Sequence, residues 1–185
     1  MLVDSIRNIA VIGAGTMGQG IAQVCALAGY SIKLYDIQAD ITRIALAAIR
    51  KSLDASVGKN KISSGQKDEA LSRIQVVGDF RLLQVDLAIE AVVEKVEVKH
   101  MILSELEKIN GMDCLMVSNT SSFPITQLAS VLKHKDRFAG LHFFNPAPAM
   151  KLVEIIRGAA TTDRTIEVLD SFVGSLSKSA VQAAD

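Results

Sequence analysis

Apolar residues in this chain fall into two patterns. Some form short unbroken runs, and others recur every three or four residues over longer stretches. Ile9-Ala10-Val11-Ile12 is a run, and Ile21, Ala22, Val24 and Cys25 follow it at helical spacing. Side chains alternate between the two faces of a strand, so an unbroken run predicts a strand buried on both faces. A second strand is expected at Ile32-Lys33-Leu34-Tyr35. Ile41, Ile44, Ala45, Ala48, Ile49 and Leu53 then predict a long amphipathic helix over residues 39–57. A polar break at 58–64 separates it from a second helix at 66–73.

The alternation continues. Apolar segments at 74–77 and 87–93 read as strands, the second of them buried. Val96, Met101, Leu103, Leu106 and Ile109 fit a helix that Gly111 stops. Further strands are expected at 115–118, 138–142 and 152–156, with a helix at 164–176 and a short strand near 180–182. Pro124 suits the first turn of a short helix, and Gly29 the cap that ends the first helix. Strands separated by helices imply an α/β domain. The expected fold is a doubly wound, mostly parallel sheet with helices on both faces and a helical insertion after the second strand. A length of 185 residues suits one such domain.

In sheets of this kind ligands bind outside the carboxyl ends of the strands. The first strand runs into Gly13-Ala14-Gly15-Thr16-Met17-Gly18, which opens a helix. The first glycine allows the tight turn, the second lets a pyrophosphate approach the backbone, and the third lets helix and strand pack closely. Phosphates would lie against N–H groups at the positive end of the helix dipole. The second strand ends in Asp36, where a carboxylate accepts hydrogen bonds from ribose hydroxyls and repels a 2′-phosphate. A strand before the loop, a helix after it and this acid make it a Rossmann-type dinucleotide site. Asp36 favours NAD over NADP, and the nearest arginine, Arg43, lies seven residues on.

The other strand ends carry Glu94, Asn119-Thr120-Ser121-Ser122 and His142-Phe143-Phe144-Asn145-Pro146. Of the three histidines, His100 and His134 read as solvated. His142 ends a strand on the ligand rim, and imidazole suits proton transfer near neutrality. Glu154 interrupts the apolar strand Leu152-Val153-Glu154-Ile155-Ile156. A carboxylate there is costly unless paired. If its strand lies beside the one ending at His142, it can fix the imidazole tautomer and stabilise the imidazolium. Otherwise it is an edge-strand acid facing water. The hydroxyls at 120–122 either cap a helix or position a substrate oxygen.

Charge narrows the partners. Twenty basic residues balance twenty acidic ones, which points to neither nucleic acid nor an anionic membrane. The first eight residues lack the layout of a signal peptide, and no apolar run approaches the ~20 residues of a membrane span. Cys25 and Cys114 read as buried thiols in a reducing compartment, and a cytoplasmic location is expected. No metal site is expected.

Several motifs together resemble the 3-hydroxyacyl-CoA dehydrogenase family. They are the loop Gly13–Gly18, the strand end Glu90-Ala-Val-Val-Glu94, Ser118-Asn-Thr-Ser-Ser122, and Arg137-Phe-Ala-Gly-Leu-His-Phe-Phe-Asn-Pro146 followed by Met150-Lys-Leu-Val-Glu154. The resemblance runs along essentially the whole chain. It implies NAD-dependent oxidation of an L-3-hydroxyacyl-CoA to the 3-ketoacyl-CoA. It further implies His142 as catalytic base, Glu154 as its partner and Ser121 as the residue bonded to the substrate's 3-oxygen. Gly13, Gly15, Thr16, Met17, Gly18, Asp36, Glu94, Lys99, Asn119 and Asn145 are implied as cofactor contacts. Ser52 and Lys59 are implied as contacts to coenzyme A, and the basic stretch 50–61 suits its adenosine phosphate.

Family members continue for roughly a hundred residues more, about one further domain. That domain is helical, forms the dimer and closes over the substrate. The 185 residues are expected to be the NAD-binding domain without it, open to self-association through the uncovered face. Two other readings stay open: a nicotinamide-binding module without turnover, and a dehydrogenase of a free hydroxy acid or sugar acid.

Overall fold

The computed structural model describes residues 6–185. Residues 1–5, part of the stretch read above for targeting, lie outside the described residues. The strands are β1 (Asn8–Ile12), β2 (Ser31–Tyr35), β3 (Ile74–Val76), β4 (Leu87–Glu90), β5 (Leu115–Ser118), β6 (Phe138–Phe143), β7 (Leu152–Arg157) and β8 (Ser179–Ala184). The helices are α1 (Thr16–Leu27), α2 (Ala39–Gly58), α3 (Ser64–Ser72), α4 (Val96–Asn110), α5 (Ile125–Leu128) and α6 (Asp163–Ser175). Among the described residues no helix is long and apolar enough to cross a membrane.

The sheet has the strand order β3-β2-β1-β4-β5-β6-β7-β8. Every neighbouring pair is parallel except β6 and β7. The α2–α3 pair is the expected helical insertion between β2 and β3. Alternation along β1 shows why its run is apolar throughout. Ile9 and Val11 join the core under α1, α2, α3 and α6, while Ala10 and Ile12 join the core under α4 and α5.

The ends of α1 and α3 follow local chemistry. At the end of α1 the Gly29 N–H reaches the Ala26 carbonyl and the Tyr30 N–H the Cys25 carbonyl, satisfying carbonyls that the last turn leaves open. Ser63 and Gln66 close a reciprocal capping box at the start of α3.

Three expectations are corrected. The strand expected over 87–93 stops at Glu90, because the Ala91 N–H turns to the Ile12 carbonyl and the Val92 N–H to the Glu90 side chain. Pro124 caps α5 from outside rather than opening its first turn. His100 is half-buried, and its Nε2 lies 3.2 Å from the Gln127 carbonyl, bridging α4 to α5. Cys25 and Cys114 are buried thiols, as expected.

Candidate active site

Strand order reverses between β1 and β4, and the crevice opens above their carboxyl ends. The glycine loop leaves β1 there. Gly13 has φ +97°, and a Cβ on it would lie 2.5 Å from the Ala91 carbonyl oxygen. A Cβ on Gly18 would lie 1.7 Å from the Gly13 carbonyl oxygen, so α1 can leave the loop this closely only without a side chain there. A Cβ on Gly15 would meet nothing within 4 Å, which leaves open space over the loop. No side chain caps α1 at Gly15. Its first-turn N–H groups face that space with the dipole behind them. These features fit a pyrophosphate.

Asp36 has a second task that the sequence does not announce. Its Oδ2 accepts the Ala14 N–H at 2.9 Å and its Oδ1 accepts the Gln38 N–H at 3.0 Å. The carboxylate thus ties the glycine loop to the end of β2 and remains half-buried at the rim.

The antiparallel step answers the question left open for Glu154. β7 is an internal strand between β6 and β8, and Glu154 stands directly opposite His142 in the register. His142 Nδ1 lies 2.7 Å from Glu154 Oε2. A carboxylate only accepts, so Nδ1 carries the proton and the neutral ring keeps its lone pair on Nε2. The ring packs against Phe144 at 4.7 Å between centroids. Two clefts meet at His142. One, of about 310 Å³, is lined by Thr120, Ser121, Ser122, Glu154 and the start of α5. The other, of about 320 Å³, is lined by Met17, Ala91, Glu94, Lys99, Asn119, Ser121 and Asn145. Ser121 and His142 belong to both.

Beneath the second cleft runs a buried polar chain. Glu90 is fully buried and accepts from Lys99 Nζ at 2.8 and 3.0 Å, from the Ser118 hydroxyl and from the Val92 N–H. Lys99, 1% exposed, also approaches Glu94 Oε2 at 3.3 Å. Glu94 in turn accepts the Ser121 N–H at 3.0 Å and the Thr120 hydroxyl at 3.1 Å. Asn119 Oδ1 accepts the Phe143 N–H at 2.8 Å, tying the end of β5 to that of β6.

The sequence reading did not assign Glu90 a role. The available signal is an acid closing a buried run, Leu87-Ala88-Ile89-Glu90, with a lysine nine residues on in a helix.

The coenzyme A candidates part company. Ser52 lines a third cleft with Thr16, Gln19, Asn145 and Pro146. Lys59 lies just past α2, exposed, and does not line these clefts. The one acid of the basic stretch, Asp54, is held by Lys67 at 2.9 Å.

Comparison with known proteins bears on this geometry. Residues 8–185 match the family described as "3-hydroxyacyl-CoA dehydrogenase, NAD binding domain". The chain is 43% identical over 181 residues to the 3-hydroxybutyryl-CoA dehydrogenase of Bradyrhizobium diazoefficiens, covering 97% of this chain and 62% of that protein. It is 39% identical over 188 residues to the mitochondrial hydroxyacyl-coenzyme A dehydrogenase of Homo sapiens, covering 97% of this chain and 60% of that one. The solved structure of (S)-3-hydroxybutyryl-CoA dehydrogenase from Ralstonia eutropha superposes with a TM-score of 0.95 at 40% identity, over 98% of this chain and 64% of that one. The chain thus spans about three fifths of the length of these relatives. Its glycine loop, its Asp36 and the match over residues 8–185 lead to one conclusion: the chain belongs to the 3-hydroxyacyl-CoA dehydrogenase family, as its NAD-binding domain.

Proposed function

We propose that the protein built on this domain oxidises an L-3-hydroxyacyl-CoA to the 3-ketoacyl-CoA with NAD as oxidant. The observation that carries this reading is the in-register His142–Glu154 pair at 2.7 Å, in clefts that also hold Ser121. His142 Nε2 takes the 3-hydroxyl proton as hydride leaves C3, and Glu154 holds the Nδ1 proton and stabilises the imidazolium. NAD, when bound, supplies the hydride acceptor. Gly13, Gly15, Thr16, Met17 and Gly18 would hold its pyrophosphate, and Asp36 its adenosine ribose. Glu94, Lys99, Asn119 and Asn145 would line the nicotinamide end. Ser121 would orient the 3-oxygen beside His142.

The thioester is the substrate class rather than a free acid. Exposed basic residues at Arg50, Lys51, Lys59 and Lys61, with Ser52 between them, suit the phosphates of coenzyme A. Two relatives' names, 3-hydroxybutyryl-CoA and hydroxyacyl-coenzyme A dehydrogenase, support the same class.

Residues 8–185 make up one NAD-binding domain, and a further helical domain would form the dimer. The buried thiols support a reducing compartment, the cytoplasm.

The test follows NADH oxidation with acetoacetyl-CoA by the whole protein that carries this domain, beside acetoacetate and beside NADH binding by fluorescence. Turnover of the thioester with little of the free acid is expected. Turnover of the free acid alone, or binding without any turnover, overturns the reading.

A further inference from the structure

The buried chain under the second cleft has a charge consequence. Glu90 and Glu94 contribute two carboxylates and Lys99 one ammonium. Lys99 donates to both oxygens of Glu90 at 2.8 and 3.0 Å and only reaches Glu94 at 3.3 Å. Glu90 therefore claims most of the ammonium. Its side chain is 0% exposed and that of Lys99 1%, whereas that of Glu94 is 40% exposed. The one uncompensated negative charge thus resides on the member that faces the cleft.

This cleft joins Met17 of the glycine loop to His142. A nicotinamide ring bound in this cleft would share it with Glu94 and His142. An oxidised nicotinamide ring carries a positive charge and a reduced one carries none.

We propose that the Glu90–Lys99–Glu94 cluster sets the preference of this site between the oxidised and the reduced dinucleotide, through the negative charge it leaves on Glu94. The proposal rests on the NAD site described above and deepens it. Glu94 acts on the ring electrostatically, favouring the charged form. Glu90 is a positioning residue that keeps Lys99 from cancelling that charge.

Oxidised and reduced dinucleotides share the adenosine, both riboses and the pyrophosphate. Contacts to those parts cancel in the ratio of the two dissociation constants, and the ring charge remains. The ratio is measured on the full chain, with NAD⁺ binding by calorimetry and NADH binding by fluorescence.

Glu94→Gln keeps the side-chain shape and an acceptor for the Ser121 N–H while removing the charge. The ratio of the NAD⁺ constant to the NADH constant is expected to rise about three- to tenfold, nearly all through weaker NAD⁺ binding. Glu94→Asp keeps the charge, and its ratio is expected within about twofold of the wild type. Equal weakening of both ligands by Glu94→Gln, or no change in either, overturns the proposal. So does a Glu94→Asp variant that shifts the ratio as far as Glu94→Gln. A wild-type chain that binds neither dinucleotide overturns the cofactor reading beneath it, an outcome distinct from the others.

Discussion

Two pairs of a basic side chain and a carboxylate lie two strands apart in this sheet and are built in opposite ways. Glu90 and Lys99 are sealed between β4 and α4, with side-chain exposures of 0 and 1%. His142 and Glu154 face each other across the antiparallel step, with side-chain exposures of 19 and 36%. Glu90 has every lone pair engaged, by an ammonium, a hydroxyl and a backbone N–H. The His142 ring bonds Glu154 through Nδ1 and lines both clefts. Burial makes a charge pair rigid and costly to break. Partial exposure lets a pair exchange protons with something that enters. One pair holds the rim in place, and the other is the one proposed to carry out proton transfer.

Removing one partner of each pair separates these roles most sharply. Glu90→Ala leaves the buried Lys99 ammonium with Glu94 alone, at 3.3 Å, and is expected to destabilise the fold by about 3–5 kcal/mol, read by urea denaturation. Glu154→Ala removes a partly exposed partner and is expected to cost about 1 kcal/mol or less. Equal losses would erase the contrast between the pairs. Ser118→Ala probes the closed pair more gently, taking one hydroxyl from the Glu90 carboxylate. A loss of about 1.5–3 kcal/mol is expected, as for a hydrogen bond to a charged group.

The same contrast shows what could be read from the sequence. The glycine loop and Asp36 are local signals, a few residues at fixed offsets after a strand, and both lie where their spacing puts them. The loop-binding task of Asp36 was hidden, since the Ala14 N–H, just past β1, donates to a carboxylate just past β2. The His142–Glu154 pair was legible only as a condition, because neighbouring strands and their register are tertiary facts. β8 decides that Glu154 is interior rather than at an edge. Glu90 and Lys99 were opaque as a pair. The acid ends a buried strand and the lysine sits in a helix nine residues on, and only the tertiary packing of α4 against β4 brings them together.

The smallest effect expected near neutral pH concerns the thiols of the closed core. Burial pushes Cys25 up from 9.0 to about 12, against a smaller downward pull from Lys178, and Cys114 likewise to about 12. The unfolded chain loses these protons near pH 9 while the folded chain keeps them. Stability is therefore level with respect to these groups below pH 9 and falls as pH rises toward about 12. Folded protein at pH 8 is expected to resist iodoacetamide at both positions, read by mass spectrometry. Rapid labelling there would mean that the core opens far more readily than its packing implies.

The open pair carries the central claim, and His142→Ala tests it most directly. Acetoacetyl-CoA reduction by NADH is followed beside NADH binding in the same preparation. With the proton carrier gone and the glycine loop untouched, turnover is expected to fall by ~10²–10⁴ while the NADH dissociation constant stays within about twofold. Unchanged turnover, or a fall accounted for by lost NADH binding, would contradict the assignment of proton transfer to His142.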